Sequence, residues 1–125
     1  MSTIKVGTIQ DTSAGNSSTP AQIMNGRAKA WANLSGDSNP PTLRSSYNIS
    51  SVTDNGSGDV TYNFTTAMAN GNFTCIPSAS NGNDGAYSIT QDNAMATGSV
   101  RCVYRTSRTS NATDFPLSMM VVYGA

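Results

Sequence analysis

The residues with chemistry to offer are few: 125 positions hold seven acidic residues, all Asp, with seven Lys or Arg, two Cys, five Tyr and no His. Without His, Ser-His-Asp and Cys-His nucleophiles lack their base and imidazole metal sites lack their ligand. Without Glu, any carboxylate pair for acid–base work must be assembled from scattered Asp. Asp54-Asn55-Gly56-Ser57-Gly58-Asp59 has the composition of a calcium loop, but not the Asp-x-Asn-x-Asp-Gly spacing or the closing Glu that such a loop requires. It reads first as a turn, as does Asn81-Gly82-Asn83-Asp84-Gly85. Arg101, Arg105 and Arg108 concentrate positive charge beside Tyr104. They make either a surface-recognition patch for a sugar or carboxylate, or solvated strand-edge charge paired with Asp92 and Asp114. Cys75 and Cys102 lie in apolar strand-like runs, which suits two buried, reduced thiols; a cross-strand bridge between them is the other reading. No residue is assigned a catalytic, metal-binding or cofactor-binding role, and no cofactor is expected.

The composition describes the scaffold that must hold these residues. Ser, Thr and Asn together equal the whole apolar set in number, while Leu is rare. A chain poor in the residues that fill helix surfaces and rich in Thr, Asn and Gly is expected to be all-β. Formal net charge is zero, so no basic stripe exists to displace counterions from nucleic acid and no polybasic patch to meet anionic lipid. No window approaches the roughly 20 apolar residues of a membrane span, and residues 1–7 lack the apolar stretch of a secretion signal. The expectation is a product made in the cytoplasm, without nucleic acid partners or membrane insertion.

Short apolar runs separated by turn clusters predict an antiparallel β-sandwich or meander of about six to eight strands. Residues 27–34 alternate strictly, with Ala28, Ala30, Ala32 and Leu34 on one face and Arg27, Lys29, Trp31 and Asn33 on the other. Pro40 and Pro41 stop whatever element precedes them. Residues 43–53 and 59–66 flank the turn at 54–58 and predict a hairpin, with Val60, Tyr62 and Phe64 facing Tyr47 and Ile49 and an irregularity near Ser51-Val52. Further strands are expected at 73–79, 86–90, 99–106 and 117–123.

The amino-terminal region is different. Residues 3–10 form a β-capable run with Ile4, Val6 and Ile9 apolar, and residues 11–26 are nearly featureless Ser, Thr, Asn and Gly. So long a linker is uncommon inside a compact monomer, and residues 1–26 are therefore read as a strand and extended attachment arm that docks on another molecule. Residues 27–125 are read as the sandwich-like domain. Met119-Met120-Val121-Val122 places apolar groups on both faces of one strand, which fits a core strand or a subunit interface. Trp31, Tyr47, Ile49, Phe64, Met119, Val121 and Tyr123 are the candidate interface or core residues. Large apolar side chains are scarce, so burial between subunits would supply what one protomer lacks; a homotrimer is expected.

A family resemblance adds to this reading. Lys29-Ala30-Trp31-Ala32-Asn33-Leu34-Ser35-Gly36, then Arg44-Ser45-Ser46-Tyr47-Asn48-Ile49-Ser50-Ser51-Val52-Thr53-Asp54-Asn55-Gly56-Ser57-Gly58-Asp59, then Asn63-Phe64-Thr65-Thr66-Ala67-Met68 resemble, in that order, the repeated module of bacteriophage tail-fibre and related virion proteins. The opening Ser2-Thr3-Ile4-Lys5-Val6-Gly7-Thr8-Ile9-Gln10 and the ending Met120-Val121-Val122-Tyr123-Gly124 are similar to those of marine and cyanobacterial phage structural proteins. Leu34 stands where the family module usually carries Phe. The resemblance implies a non-catalytic virion component, β-rich and trimeric, assembled in the host cytoplasm. Its partners would be copies of itself, other phage structural proteins held through the arm, and a host surface glycan or protein. Two other roles stay open: a capsid decoration (cement) or head-fibre protein stabilising the phage head, and, more remotely, a glycan depolymerase built on Asp54 with Asp59.

Overall fold

A computed structural model describes residues 2–10, 12, 13, 15, 17–80, 87–107 and 110–124, and of residues 92–94 the backbone alone. Arg108, the side chain of Asp92 and the turn at 81–85 lie outside the described residues. The elements are β1 (Ile9–Gln10), β2 (Ser17–Ser18), α1 (Pro20–Gly26), β3 (Ala28–Ser35), β4 (Thr42–Tyr47), β5 (Ile49–Gly56), β6 (Asp59–Phe64), β7 (Thr74–Ser80), β8 (Tyr87–Ala96), β9 (Ser99–Arg105) and β10 (Leu117–Tyr123). Among the described residues, β3 to β10 form two four-stranded antiparallel sheets ordered β4-β3-β10-β7 and β5-β6-β9-β8. The all-β expectation holds.

Strict alternation produces the burial that it predicts. In β3, Ala30, Ala32 and Leu34 are buried while Trp31 faces outward; in β6, Val60, Tyr62 and Phe64 are buried between partly exposed Asp59, Thr61 and Asn63. One core cluster joins these residues to Val100, Cys102 and Tyr104 of β9 and to Met120 and Val122 of β10. Tyr62, Tyr104 and Phe115, all fully buried, supply the volume that the alanines of β3 do not. The two tyrosine hydroxyls lie 2.9 Å apart, and Tyr104 Oη donates to the Met119 carbonyl of the opposite sheet at 3.1 Å. Each buried hydroxyl is thereby satisfied.

The stretch read as one strand over 43–53 is two strands. Asn48, at φ 56°, turns the chain from β4 in the first sheet to β5 in the second. Its side chain replaces the backbone pairing lost at the bend: Nδ2 donates to the carbonyls of Lys29 (3.1 Å) and Thr66 (3.0 Å), and Oδ1 accepts from Thr66 N at 2.7 Å. Asn tolerates this left-handed conformation better than most residues. Tyr47 and Ile49 consequently lie in different sheets, not on one face of one strand. The β5–β6 hairpin forms as expected, and its register shifts between Ile49 and Ser51, beside the irregularity that the sequence predicts.

The arm is also corrected. Only Ile9 and Gln10 of the 3–10 run are in a strand, paired with Ser18 and Ser17, and residues 20–26 are helical rather than extended. Thr19 caps this helix with Pro20 in the first turn, and a reciprocal pair of bonds joins Thr19 and Gln22. The Thr-Pro-x-Gln spacing is a helix start signal present in the sequence.

Candidate interaction surface

Side chains of residues paired across antiparallel strands project from the same face. On the outer side of the first sheet the register therefore lines up Tyr47, Trp31, Val121 and Ile76 as one row across β4, β3, β10 and β7. Ser45, Asn33, Met119 and Ser78 form the neighbouring row. Tyr47 is 50% exposed, Ile76 54%, Trp31 37% and Tyr123 36%. Between them runs an apolar groove of about 410 Å³ lined by Trp31, Asn33, Ile76, Met119 and Val121. Asn33 Oδ1 is buried beside this groove with no hydrogen-bond partner among the described residues. A buried acceptor left unpaired is costly, and a donor reaching the groove would relieve it.

The outer side of the second sheet is chemically opposite. Asn63 Nδ2 donates to Ser51 Oγ (3.0 Å) and Thr53 Oγ1 (3.1 Å), and Asn55 Nδ2 donates to Thr61 Oγ1 (2.9 Å). Arg101 grips Asp59 with two bonds, Nε–Oδ1 at 2.7 Å and a second from Nη2, and the carboxylate beside it holds the guanidinium pKa above its usual value. These groups satisfy one another at a wetted face. The two faces thus divide an apolar surface from a polar one.

Of the seven residues expected at an interface or in the core, Trp31, Tyr47, Met119, Val121 and Tyr123 come together on the first sheet. Phe64 lies in the core and Ile49 packs against it. Sequence reasoning missed Ile76, since Cys75-Ile76-Pro77 does not show which face each residue takes. Of the expected arginine–tyrosine patch, Arg108 lies outside the described residues, and Arg101, Tyr104 and Arg105 do not share one surface. Tyr104 points into the core, Arg101 is held by Asp59, and Arg105 is partly buried with Nε unpaired. Strand parity carries the signal, because Tyr104 alternates with Arg101 and Arg105 only if it faces the other way. Asp114 Oδ1 accepts from Gly58 N at 2.6 Å, and among the described residues Asp114 makes no ion pair with Arg101 or Arg105.

Asp54 and Asp59 are likewise engaged, Asp54 Oδ1 accepting from Gly56 N (2.9 Å) and Asp59 from Arg101. Among the described residues no group of three or more Cys and Asp is placed to hold a metal ion, and no helix is long and apolar enough to cross a membrane. At the bend around Asn48, a cleft of about 600 Å³ is lined by Arg27, Lys29, Tyr47, Asn48 and Thr66. The arm presents Ile4 (88% exposed), Val6 and Ile9 to solvent. Comparisons with protein-family models, curated proteins and solved structures give no match.

Proposed function

We propose that this chain is a non-catalytic bacteriophage virion protein, a β-sandwich that assembles as a small homotrimeric tail-fibre or tip-type module on the particle surface. The observation that carries this reading is the outward apolar row of Tyr47, Trp31, Val121 and Ile76 beside the orphaned Asn33 Oδ1. Exposed aromatic and aliphatic side chains in contiguous rows mark contact surfaces, and a neighbouring copy can cover them while offering a donor to Asn33. The family resemblance of residues 29–68 supplies the virion context. The polar face of the second sheet and the cationic cleft at Arg27 and Lys29 would then face outward, where a host surface glycan or protein is met.

A second reading is favoured by the arm. Ile4, Val6 and Ile9 are exposed on a segment whose strand pairing is a two-residue ladder with Ser17 and Ser18, which suits strand addition to a neighbouring capsid subunit. In that case the protein is a capsid decoration or head-fibre protein that stabilises the phage head. Light scattering tests the assembly: three copies of a 13.0 kDa chain give about 39 kDa, and a mass of one chain at micromolar concentration removes the trimer. Truncating residues 1–26 separates the two roles. Loss of particle stability with adsorption intact assigns the head, and loss of adsorption with stability intact assigns the tail.

A further inference from the structure

The two thiols sit on facing sheets. Cys75 belongs to β7, an edge strand of the first sheet, and Cys102 to β9, an inner strand of the second. Their Sγ atoms are 3.9 Å apart and both are free. The β7 and β9 backbones approach closely enough across the core for their facing side chains to meet. Thr90, the register partner of Cys102 on β8, donates through Oγ1 to the Cys75 carbonyl at 3.3 Å and ties the edge strand to the second sheet. Cys102 is fully buried, whereas Cys75 is partly exposed. The pair is asymmetric in a second way. The hydrogen bond between the two sulfurs holds the Cys75 thiol below its ordinary range, and the same bond together with burial pushes Cys102 up.

We propose that Cys75 and Cys102 are a redox-addressable pair, which a small-molecule disulfide such as oxidised glutathione closes into a covalent bond between the two sheets. Cys75, reachable from solvent, attacks one sulfur of the reagent as thiolate; the reagent's S–S bond breaks and one glutathione thiolate leaves. Cys102 then gives its proton to that thiolate, attacks Cys75 Sγ and expels the second glutathione as thiolate, which takes up from solvent the proton that Cys75 released on becoming a thiolate. Two protein thiols are oxidised and one reagent disulfide is reduced to two thiols. Closure needs the two sulfurs to approach by roughly 2 Å, a shift that falls on an edge strand with one paired neighbour. The bond joins residues 75 and 102 into a closed loop and so limits the unfolded chain. This inference stands apart from the assembly reading, since neither sulfur lies on the outer apolar row.

The test treats the native protein with oxidised glutathione and compares it with protein held in dithiothreitol. Expected are a mass loss of about 2 Da, disappearance of both thiols from alkylation, a cross-linked peptide holding residues 75 and 102, and a thermal midpoint higher by roughly 5–15 °C. Cys75→Ser, a change at the partly exposed position, is expected to keep the native circular dichroism spectrum and to gain neither bridge nor stabilisation. Cys102→Ser, if folded, is expected to stop at one glutathione adduct on Cys75. Native protein whose thiols both stay alkylatable, a wild-type adduct that never resolves, bonds between chains, or closure in urea alone would each overturn the proposal.

Discussion

At Gly58 a single added carbon has no room. The residue adopts φ +63°, and a Cβ there would come within 2.6 Å of the Tyr104 carbonyl oxygen and closer still to the Thr113 backbone. Its own N–H and C=O are committed to Asp114 and Tyr104. Gly58→Ala is therefore expected to destabilise by about 3 kcal/mol or more, since backbone must move as well as strain. Gly56→Ala, at φ +123° with open space around it, is expected to cost about 1–2 kcal/mol; urea denaturation of the two variants measures the difference. Tyr62 and Tyr104 set a pH limit of their own. Burial raises both phenol pKa values above the usual range, so the unfolded chain releases these protons first. Their contribution is complete below about pH 10 and is lost as pH rises beyond it, by up to about 1.4 kcal/mol per unit for each tyrosine. Tyr104→Phe should flatten that alkaline slope while costing about 1–2 kcal/mol at neutral pH, because Tyr62 Oη and the Met119 carbonyl each lose a partner.

At the scale of elements, the decisive event is the passage of the chain between sheets at Asn48. One side chain replaces three backbone pairings and also accepts a left-handed φ. Asn48→Ala removes both, and a loss of about 2–4 kcal/mol is expected; Asn48→Gly removes only the hydrogen bonds and should lose about 1 kcal/mol less. Guanidinium unfolding of the pair checks the order, and equal losses would mean that the conformation costs nothing. Helix α1 shows the opposite situation. None of its residues is buried, so the capping pair of Thr19 and Gln22 carries much of its stability. Thr19→Ala is expected to weaken local helicity by about 1 kcal/mol, read by amide exchange at residues 20–26, with the global thermal midpoint unchanged.

At the scale of the whole molecule, the two sheets share one core but present unlike faces to the outside. The face of Trp31 and Val121 is apolar, and that of Asn63 and Arg101 is polar and internally bonded. If the apolar face is where copies meet, Trp31→Glu should reduce the solution mass from about 39 kDa to 13.0 kDa without altering circular dichroism, because Trp31 points away from the core. A charge at Thr61, on the polar face, should leave the mass unchanged. The strands themselves were legible in the chain: alternation in β3 and β6 and the Gly-rich turn at 54–58 are local properties that neighbouring residues impose on one another. The capped start of α1 was equally local, although its signal is short. What tertiary structure alone decided is which strands pair and which way each face points. Nothing near Asn48 in sequence says that Tyr47 and Ile49 part company, because the bonds that hold the bend come from Lys29 and Thr66. Likewise Ile76 joins Trp31, and Cys75 meets Cys102, only once β10 has inserted between β3 and β7 and the second sheet has closed over the core. Such contacts depend on residues far apart in the chain, and period-2 patterning records only that a strand has two faces, not what each face meets.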